Sequence, residues 1–523
     1  MRTPLRQKGR IGQAQTSSTQ SIPAPVGGWN ARDALAEMPP TDAVALENWF
    51  PRTSYCEVRG GYTTHATGMT GNGKTLAVYN ALSGTNTMYC YTASGIYDVS
   101  AAGAVGASKL ARTNGKHVWT MFGDGTSNYL IAVNGVDKPA YFDGTTWTAV
   151  DGASTPAITG ITTTTISYVN AFKGRLFFLV NSSLSFYYLA AGAAGGAVTR
   201  FQLDAECVRG GYLMALGTLT LDAGDGPDDR FIAITSEGEC IVYQGTNPNS
   251  AASWSKVGAF YIGKPIGRNC LCKFGGDLVV LTQNGAFPLT KAIQSNVIDN
   301  KESLSFKIEN AFNDASKLYF SVYGWKAIVF PKQSAMLVNV PAAEDGDHSQ
   351  YVMNTITKSW CKFTGWNAED FAILNNELYF CSGTGTAKAW VAGNPDGTND
   401  IVAYGKPAFT NFGKGGVGKQ VKLLRPVLEV NATVSFLTGV DIDYTDRYLS
   451  GTATYTPSTI YLWGSALWGA SIWGGGLSTV KKWTSPSCYP GYAATGKIKI
   501  NVRTTTVRWL SNDYVFEIGG PMS

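Results

Sequence analysis

The chain has 523 residues, 44% hydrophobic and only 15% charged, with a formal net charge of +5. Its 60 glycines, threonine-rich turns and 12% aromatics are poor helix material, so the composition points to an all-β chain; 523 residues exceed one ordinary core. Nine cysteines without metal-type spacing and three scattered histidines, His65, His117 and His348, supply neither a zinc pattern nor a local catalytic set, and the odd thiol count argues against a disulfide framework.

The first twenty residues carry basic side chains but no apolar core segment, and they read as a flexible basic arm rather than a secretory signal. No apolar run approaches the roughly 18–20 residues of a membrane span. In 21–62, Thr41 and Asp42 are placed to cap a short helix through Ala43, Val44 and Leu46 that Pro51 ends. Gly27-Gly28-Trp29-Asn30 and Arg59-Gly60-Gly61-Tyr62 read as turns beside strands.

From Leu76 a hairpin pattern begins and recurs. Asn134-Gly135, Asp143-Gly144 and Asn284-Gly285 each separate apolar runs, the strongest short hairpin signal. Paired runs continue through Ile166–Leu189, Phe231–Tyr243, Leu278–Leu289 and Leu318–Val340, with 190–198 expected as a mobile small-residue loop. Residues 351–390 parse as four strands of one antiparallel sheet. Such a sheet cannot bury both faces alone, and about seven groups of roughly 40–50 residues between 75 and 395 match propeller spacing. The expected fold is therefore an all-β β-propeller of about seven blades.

After 395 the strands lengthen (Val421–Val430, Thr433–Val440, then a final pair, Gly496–Arg503 and Thr506–Trp509), and a separate β-sandwich or platform over 396–523 is expected. From Ile401 onward twelve Lys/Arg face six Asp/Glu, a balance of +6. The first 400 residues hold 30 against 31, or −1. A basic end on a near-neutral body suits an acidic partner or a plain solvated surface.

Four motifs invite chemistry. Gly68–Thr75 satisfies the phosphate-loop pattern ending in Gly73-Lys74-Thr75, but a polar stretch precedes it and a β-rich run follows, where a buried strand and a helix are needed. Gly413–Gln420 resembles a deviant phosphate loop around Lys419, with Gln420 where a hydroxyl belongs and Pro426 soon after. Asp222, Asp225, Asp228 and Asp229 concentrate hard oxygen ligands yet lack calcium-loop spacing, so a solvated acidic turn is the competing reading. Trp463, Trp468 and Trp473 recur every fifth residue, each before a glycine, a period that fits neither helix nor strand. They suit internal packing or an anchor for another subunit, with a membrane wedge as a third reading. No catalytic residue, metal ligand or cofactor is expected.

Three stretches carry a family resemblance: GGWN through ALENWFPRTSYCEVRGGY near the start, TITKSWCKFTGW at 355–366, and WGSALWGASIWGGG with GYAATGKIKINVRTTTVRWLSNDYVFEIGG near the end. Together they resemble the tail nozzle proteins (tail tubular B or hub type) of short-tailed bacteriophages. The resemblance implies a structural virion protein assembled in the host cytoplasm. It implies a hexameric ring below the portal and adaptor, possible tail-fibre contacts, and double-stranded DNA passing through the lumen. It also implies that residues 21–74 pack with the platform, which would set Trp29, Asn30, Trp49 and Phe50 beside 506–518 as candidate interaction residues. A low-charge body suits such a conduit, because each lysine–phosphate contact adds affinity that slows passage. A propeller that binds or hydrolyses glycans is the alternative, with paired carboxylates in the central pocket as its mark.

Overall fold

The computed structural model describes residues 17–82, 84–220, 229–295, 300–456, 460–461, 472–473 and 477–519. Its described backbone forms seven small antiparallel sheets in a closed ring, followed and overlain by longer strands. Blade 1 contains Thr75–Tyr79, Thr87–Tyr91 and Ile96–Asp98. Blade 2 contains Val118–Gly123, Asn128–Val133, Ala140–Phe142 and Trp147–Ala149. Blade 3 runs Ile166–Phe172, Arg175–Val180, Ser185–Tyr188 and Thr199–Gln202, and blade 4 runs Leu213–Leu219, Arg230–Thr235, Glu239–Gly245 and Trp254–Tyr261. Blade 5 has three strands, Leu271–Phe274, Asp277–Thr282 and Gly285–Pro288. Blade 6 is Lys326–Phe330, Ala335–Pro341, His348–Asn354 and Trp360–Thr364, and blade 7 is Asp370–Leu374, Glu377–Ser382 and Gly385–Val391.

First strands of neighbouring blades pack on one another, except that Leu213–Leu219 of blade 4 meets the second strand of blade 5, Asp277–Thr282, and the contact between Asp370–Leu374 and Thr75–Tyr79 closes the circle. Blade 7 gains its fourth strand from the other end of the chain: Gly61–Thr67 pairs antiparallel with Gly385–Val391. This junction joins residues more than three hundred positions apart, so the ring is sealed by a backbone ladder and not only by side chains. Burial follows position in the ring. Thr75–Tyr79 is buried at every residue because blades cover both faces, whereas Thr199–Gln202 at a blade's outer edge is mostly exposed.

Four sequence expectations change. Residues 351–390 are two half-sheets, not one: His348–Asn354 and Trp360–Thr364 finish blade 6, while Asp370–Leu374 and Glu377–Ser382 begin blade 7. Hairpin spacing alone cannot tell a turn within a blade from a step between blades. The helix expected after Thr41 is a strand, Asp42–Glu47, because long-range pairing with Ile401–Pro407 outweighs the local cap. The Asp42 carboxylate instead accepts from Asn30 Nδ2 at 2.9 Å and pairs with Lys307 Nζ at 2.8 Å. Leu318–Val322, expected as strand, is the end of a helix, Glu309–Tyr319, and the turn after it; the helix buries Phe312, Ala315 and Ser316 at three- and four-residue spacing. The 190–198 loop is anchored: Gly196–Ala197 pairs in parallel with Ile158–Thr159 and Ala194 is buried.

Beyond 395 the long strands alternate between two sheets. Lys419–Val430 and Val507–Ile518 pair with each other, and Ser17–Pro23 and Cys56–Val58 add to the latter. Val434–Ile442, Ala494–Val502 and Ile401–Pro407 form the second sheet, so the final two strands lie in different sheets and are not a hairpin pair. Both sheets feed one core: Leu428, Val430 and Trp509 from the first meet Phe436, Ile498 and Ile500 from the second. The second sheet continues through Asp42–Glu47, which bridges Lys362 of blade 6 through Glu47, and so runs unbroken across position 395.

Candidate functional site: the mouth of the propeller

Every blade's first strand runs in the same direction, so the residues that precede these strands gather at one end of the ring. There Lys74 comes before blade 1, Lys116 and His117 before blade 2, Arg268 and Asn269 before blade 5, Trp325 before blade 6 and Glu369 before blade 7. Of these, Lys116, His117, Arg268, Asn269 and Trp325 line a cavity of about 240 Å³ whose wall spans blades 2, 3, 5 and 6.

On one side of the mouth a charged seam ties blades 6, 7, 1 and 2. The buried Lys74 ammonium lies 2.7 Å from Asp345, 3.2 Å from Glu344 and 3.4 Å from Glu369, and Glu344 also holds Lys116 at 2.9 Å. Glu344 and Asp345 sit on the loop between the second and third strands of blade 6, so this loop reaches past blade 7 to blades 1 and 2. Burial opposes the Lys74 charge, but the hydrogen bond it donates to Asp345 and the charges of Glu369 and Glu344 outweigh it and hold its pKa above the usual lysine value. Burial likewise works against ionised Glu344 and Asp345, and the bonded lysines overcome it and hold both carboxyls low. Beneath them Lys326 pairs with Asp370 at 2.6 Å, whose other oxygen accepts the Leu76 amide at 2.9 Å. The Tyr323 hydroxyl lies 2.9 Å from Thr75 Oγ1, and burial pushes its pKa far up. His117 stacks on Tyr91 with centroids 4.5 Å apart, and burial pulls its pKa down to about 3.

The second charged knot ties blade 6 to the long sheets. Arg59 grips Asp396 with two nitrogens at 2.8 and 2.5 Å, donates to Asn48 Oδ1 at 2.9 Å, and its guanidinium lies 4.7 Å from the Trp366 ring. Both side chains are inaccessible, at 0% and 7% exposure. Asn48, in the left-handed region at φ 58°, donates to Thr364 Oγ1 and to the Val402 carbonyl. Four segments distant in sequence thus share one polar centre.

These arrangements locate the sequence-derived candidates. Lys74, with three carboxylates around it, offers no phosphate site, and Gly73 is glycine because a Cβ there would come within 2.7 Å of Cys90 Sγ. The Lys419 ammonium donates to the carbonyls of Val417 and Tyr492 within a strand. Neither loop leads into a helix. Trp49 and Phe50 are wholly buried, Trp49 against Trp509 at 5.5 Å and Phe50 against Trp390 at 5.2 Å, so both rings serve this chain's own core. Trp29 packs edge-on to Tyr351 at 5.2 Å on blade 6 and also lies against the core cluster that holds Val507 and Trp509. Trp463 and Trp468 lie outside the described residues, as do Asp222, Asp225 and Asp228. Trp473 is placed only as backbone, in Ile472–Trp473, which pairs with Ile460–Tyr461. The Asp229 side chain is buried with Oδ1 unbonded. All nine cysteines are free thiols and eight are buried, and burial raises Cys240, for example, to about 12. Among the described residues no cluster of His, Cys, Asp and Glu is arranged to hold a metal, and no helix is long and apolar enough to cross a membrane.

Sequence reasoning overlooked Arg59, Asp396, Arg268 and Glu369. Each is a charged residue next to turn glycines or β-rich runs, with no local charge pattern to mark it, and only the closing of the ring gives it a partner or a cavity.

The chain is a β-propeller protein. No protein-family model matches it, and no curated protein matches its sequence. Among solved structures it is similar to the β-propeller domain of Cps50 (Swd1) from Myceliophteria thermophila. That match has 13% identity, a TM-score of 0.39, and covers 63% of this chain and 99% of that one. It is also similar to Chaetomium thermophilum Raptor, at 11% identity and a TM-score of 0.38, with 63% of this chain matched to only 28% of that one. A third likeness, at 9% identity and TM-score 0.34, is to YCF48 bound to D1 peptide, covering 65% and 96% of the two chains. Each likeness concerns fold alone.

Proposed function

We propose that this protein is a structural component of a short-tailed phage tail, a nozzle subunit that works by ring assembly around exiting DNA and not by catalysis. The observation that carries this reading is convergence. The three stretches that resemble nozzle proteins, 27–62, 355–366 and 463–476 with 491–520, lie about a hundred to three hundred residues apart in sequence, and 463–476 falls largely outside the described residues. Yet Trp49, Phe50, Cys361, Phe363, Trp366, Ile498 and Trp509 belong to one buried core. The shared signature therefore maps onto the junction between propeller and long sheets, where an assembly subunit needs stiffness.

Next to this junction the second long sheet turns a mixed face outward. Val402 and Leu437 are 42% and 36% exposed there, beside Lys499 and Asn501, and the tyrosines at 444, 448 and 489 are exposed on the same part of the chain. Such a face, with aromatic and aliphatic groups among polar ones, has the composition of a subunit contact. The mouth cavity, by contrast, has no Asp or Glu among the described residues of its lining, and the nearby Glu369 and Asp370 are held by lysines. This arrangement disfavours the paired-carboxylate chemistry of the glycosidase alternative.

Electron microscopy of the protein mixed with purified adaptor rings tests the proposal. Sixfold rings stacked on the adaptor are expected, and Leu437→Glu should abolish them while leaving the far-ultraviolet dichroism unchanged. Monomers alone beside intact adaptor rings would overturn it.

A further inference from the structure

The mouth cavity is asymmetric in charge, and this asymmetry is independent of any role in a tail. On the side of blades 6, 7 and 1, lysines and carboxylates are matched against each other. On the side of blade 5 stands Arg268, a half-buried guanidinium whose described contacts are the Met214 carbonyl at 3.2 Å and the Tyr212 ring at 5.7 Å. Among the described residues no carboxylate pairs with it. Burial lowers its pKa, opposed only by Tyr212, Tyr168 and Cys270. A half-buried guanidinium with unused N–H groups at a cavity wall is a ready partner for a planar anion, because its fork matches two oxygens at once.

The rest of the lining narrows the ligand. Asn269 adjoins Arg268 and contributes an amide, and Phe320 and Tyr323 contribute aromatic rings, while Trp325 is buried in the core behind them with its Nε1 committed to the Tyr319 carbonyl at 2.9 Å. Lys116, the other cation of the lining, is neutralised by Glu344 at 2.9 Å. One uncompensated positive charge suits a monoanion better than a phosphate dianion. Amides with aromatic rings suit a hydroxylated ring, and about 240 Å³ is below the ~300–1,000 Å³ of drug-sized sites.

We propose that the propeller mouth binds one acidic sugar residue, of the hexuronate class, with its carboxylate on Arg268 and its ring against Tyr323 and Phe320. The site is a binding site and performs no covalent step.

The test is titration of the full-length protein, followed by calorimetry and by tryptophan fluorescence, with D-glucuronate, D-glucose, L-glutamate and inorganic phosphate as separate probes. Glucuronate should saturate one site per chain and bind roughly tenfold or more tighter than glucose, since only the acid makes the charge-assisted pair. Arg268→Gln should weaken glucuronate by about tenfold and leave glucose unaffected. Arg268→Lys, which retains the charge and loses the fork, should fall between, and it replaces the glutamine variant if that variant does not fold. The proposal is overturned if glucuronate fails to saturate by about 10 mM. It is also overturned if glutamate or phosphate binds as well as glucuronate, or if the Arg268 variants bind like the wild type.

Discussion

The two charged knots of this molecule, Arg59–Asp396 at the junction and Lys74 with its three carboxylates at the mouth, do similar topological work under different solvation. Both tie segments distant in sequence. Arg59 and Asp396 are inaccessible and satisfied by four further groups, whereas Glu344 and Asp345 remain 42% and 37% exposed around Lys74. Water screens the mouth seam and cannot reach the junction. The contrast teaches that a buried pair acts mainly when broken: its two ions are costly to desolvate, and removing one strands the other.

The largest expected effect therefore comes from Arg59→Met, which leaves Asp396 charged and buried. A loss of about 3–5 kcal/mol in denaturant-induced unfolding is predicted. A loss below about 1 kcal/mol would show that water reaches the junction after all.

Next is a pH effect at the mouth. His117 has its folded pKa depressed to about 3, so the unfolded chain binds a proton that the folded chain refuses as pH falls below its ordinary 6.5. Stability should accordingly fall with decreasing pH from about 6.5, at about 1.4 kcal/mol per pH unit for this one site. His117→Phe, which keeps a ring against Tyr91, should flatten that part of the profile. Glu344 and Asp345, also held low, add to the loss only at more acid pH, below about 4, where their unfolded forms take up protons.

Lys74→Met is expected to cost about 1–2 kcal/mol, smaller than Arg59→Met because two of its three acids are screened by solvent. The smallest effect is at Lys332–Glu377, a pair on the outside of blades 6 and 7 with side chains 49% and 28% exposed. Lys332→Ala should change stability by less than about 1 kcal/mol. If it matched Lys74→Met, exposure would not be what separates the two classes.

Much of the ring is legible in the sequence. Asn134-Gly135, Asp143-Gly144 and Asn284-Gly285 mark turns, and runs such as Arg175–Val180 mark strands, because local backbone preference and pairing agree there. Blade phase is not legible. Nothing between Phe363 and Phe371 announces that the chain leaves one sheet for the next, since both steps use short turns. The strand Asp42–Glu47 is hidden because its partners lie at 401–407, far beyond any local window, while its capping residues favour a helix. The charged knots are hidden for the same reason: Arg59 and Asp396 are 337 positions apart. Trp49 and Phe50 stand out as aromatic, yet the sequence does not reveal whether such rings face a neighbour or the interior. The ring contacts with Trp509 and Trp390 place them inside.

The central structural claim is that propeller and long sheets form one cooperative unit, joined by the sheet that runs through Asp42–Glu47 and by the Arg59 knot. Native-state hydrogen exchange tests this most directly when amides of blade 6 (348–354) and of the long strands (494–502) are followed in the wild type and in Arg59→Met. The account predicts that both sets exchange with the same opening free energy and drop together in the variant. Two distinct opening energies in the wild type, with only the 494–502 set responding to the substitution, would contradict it.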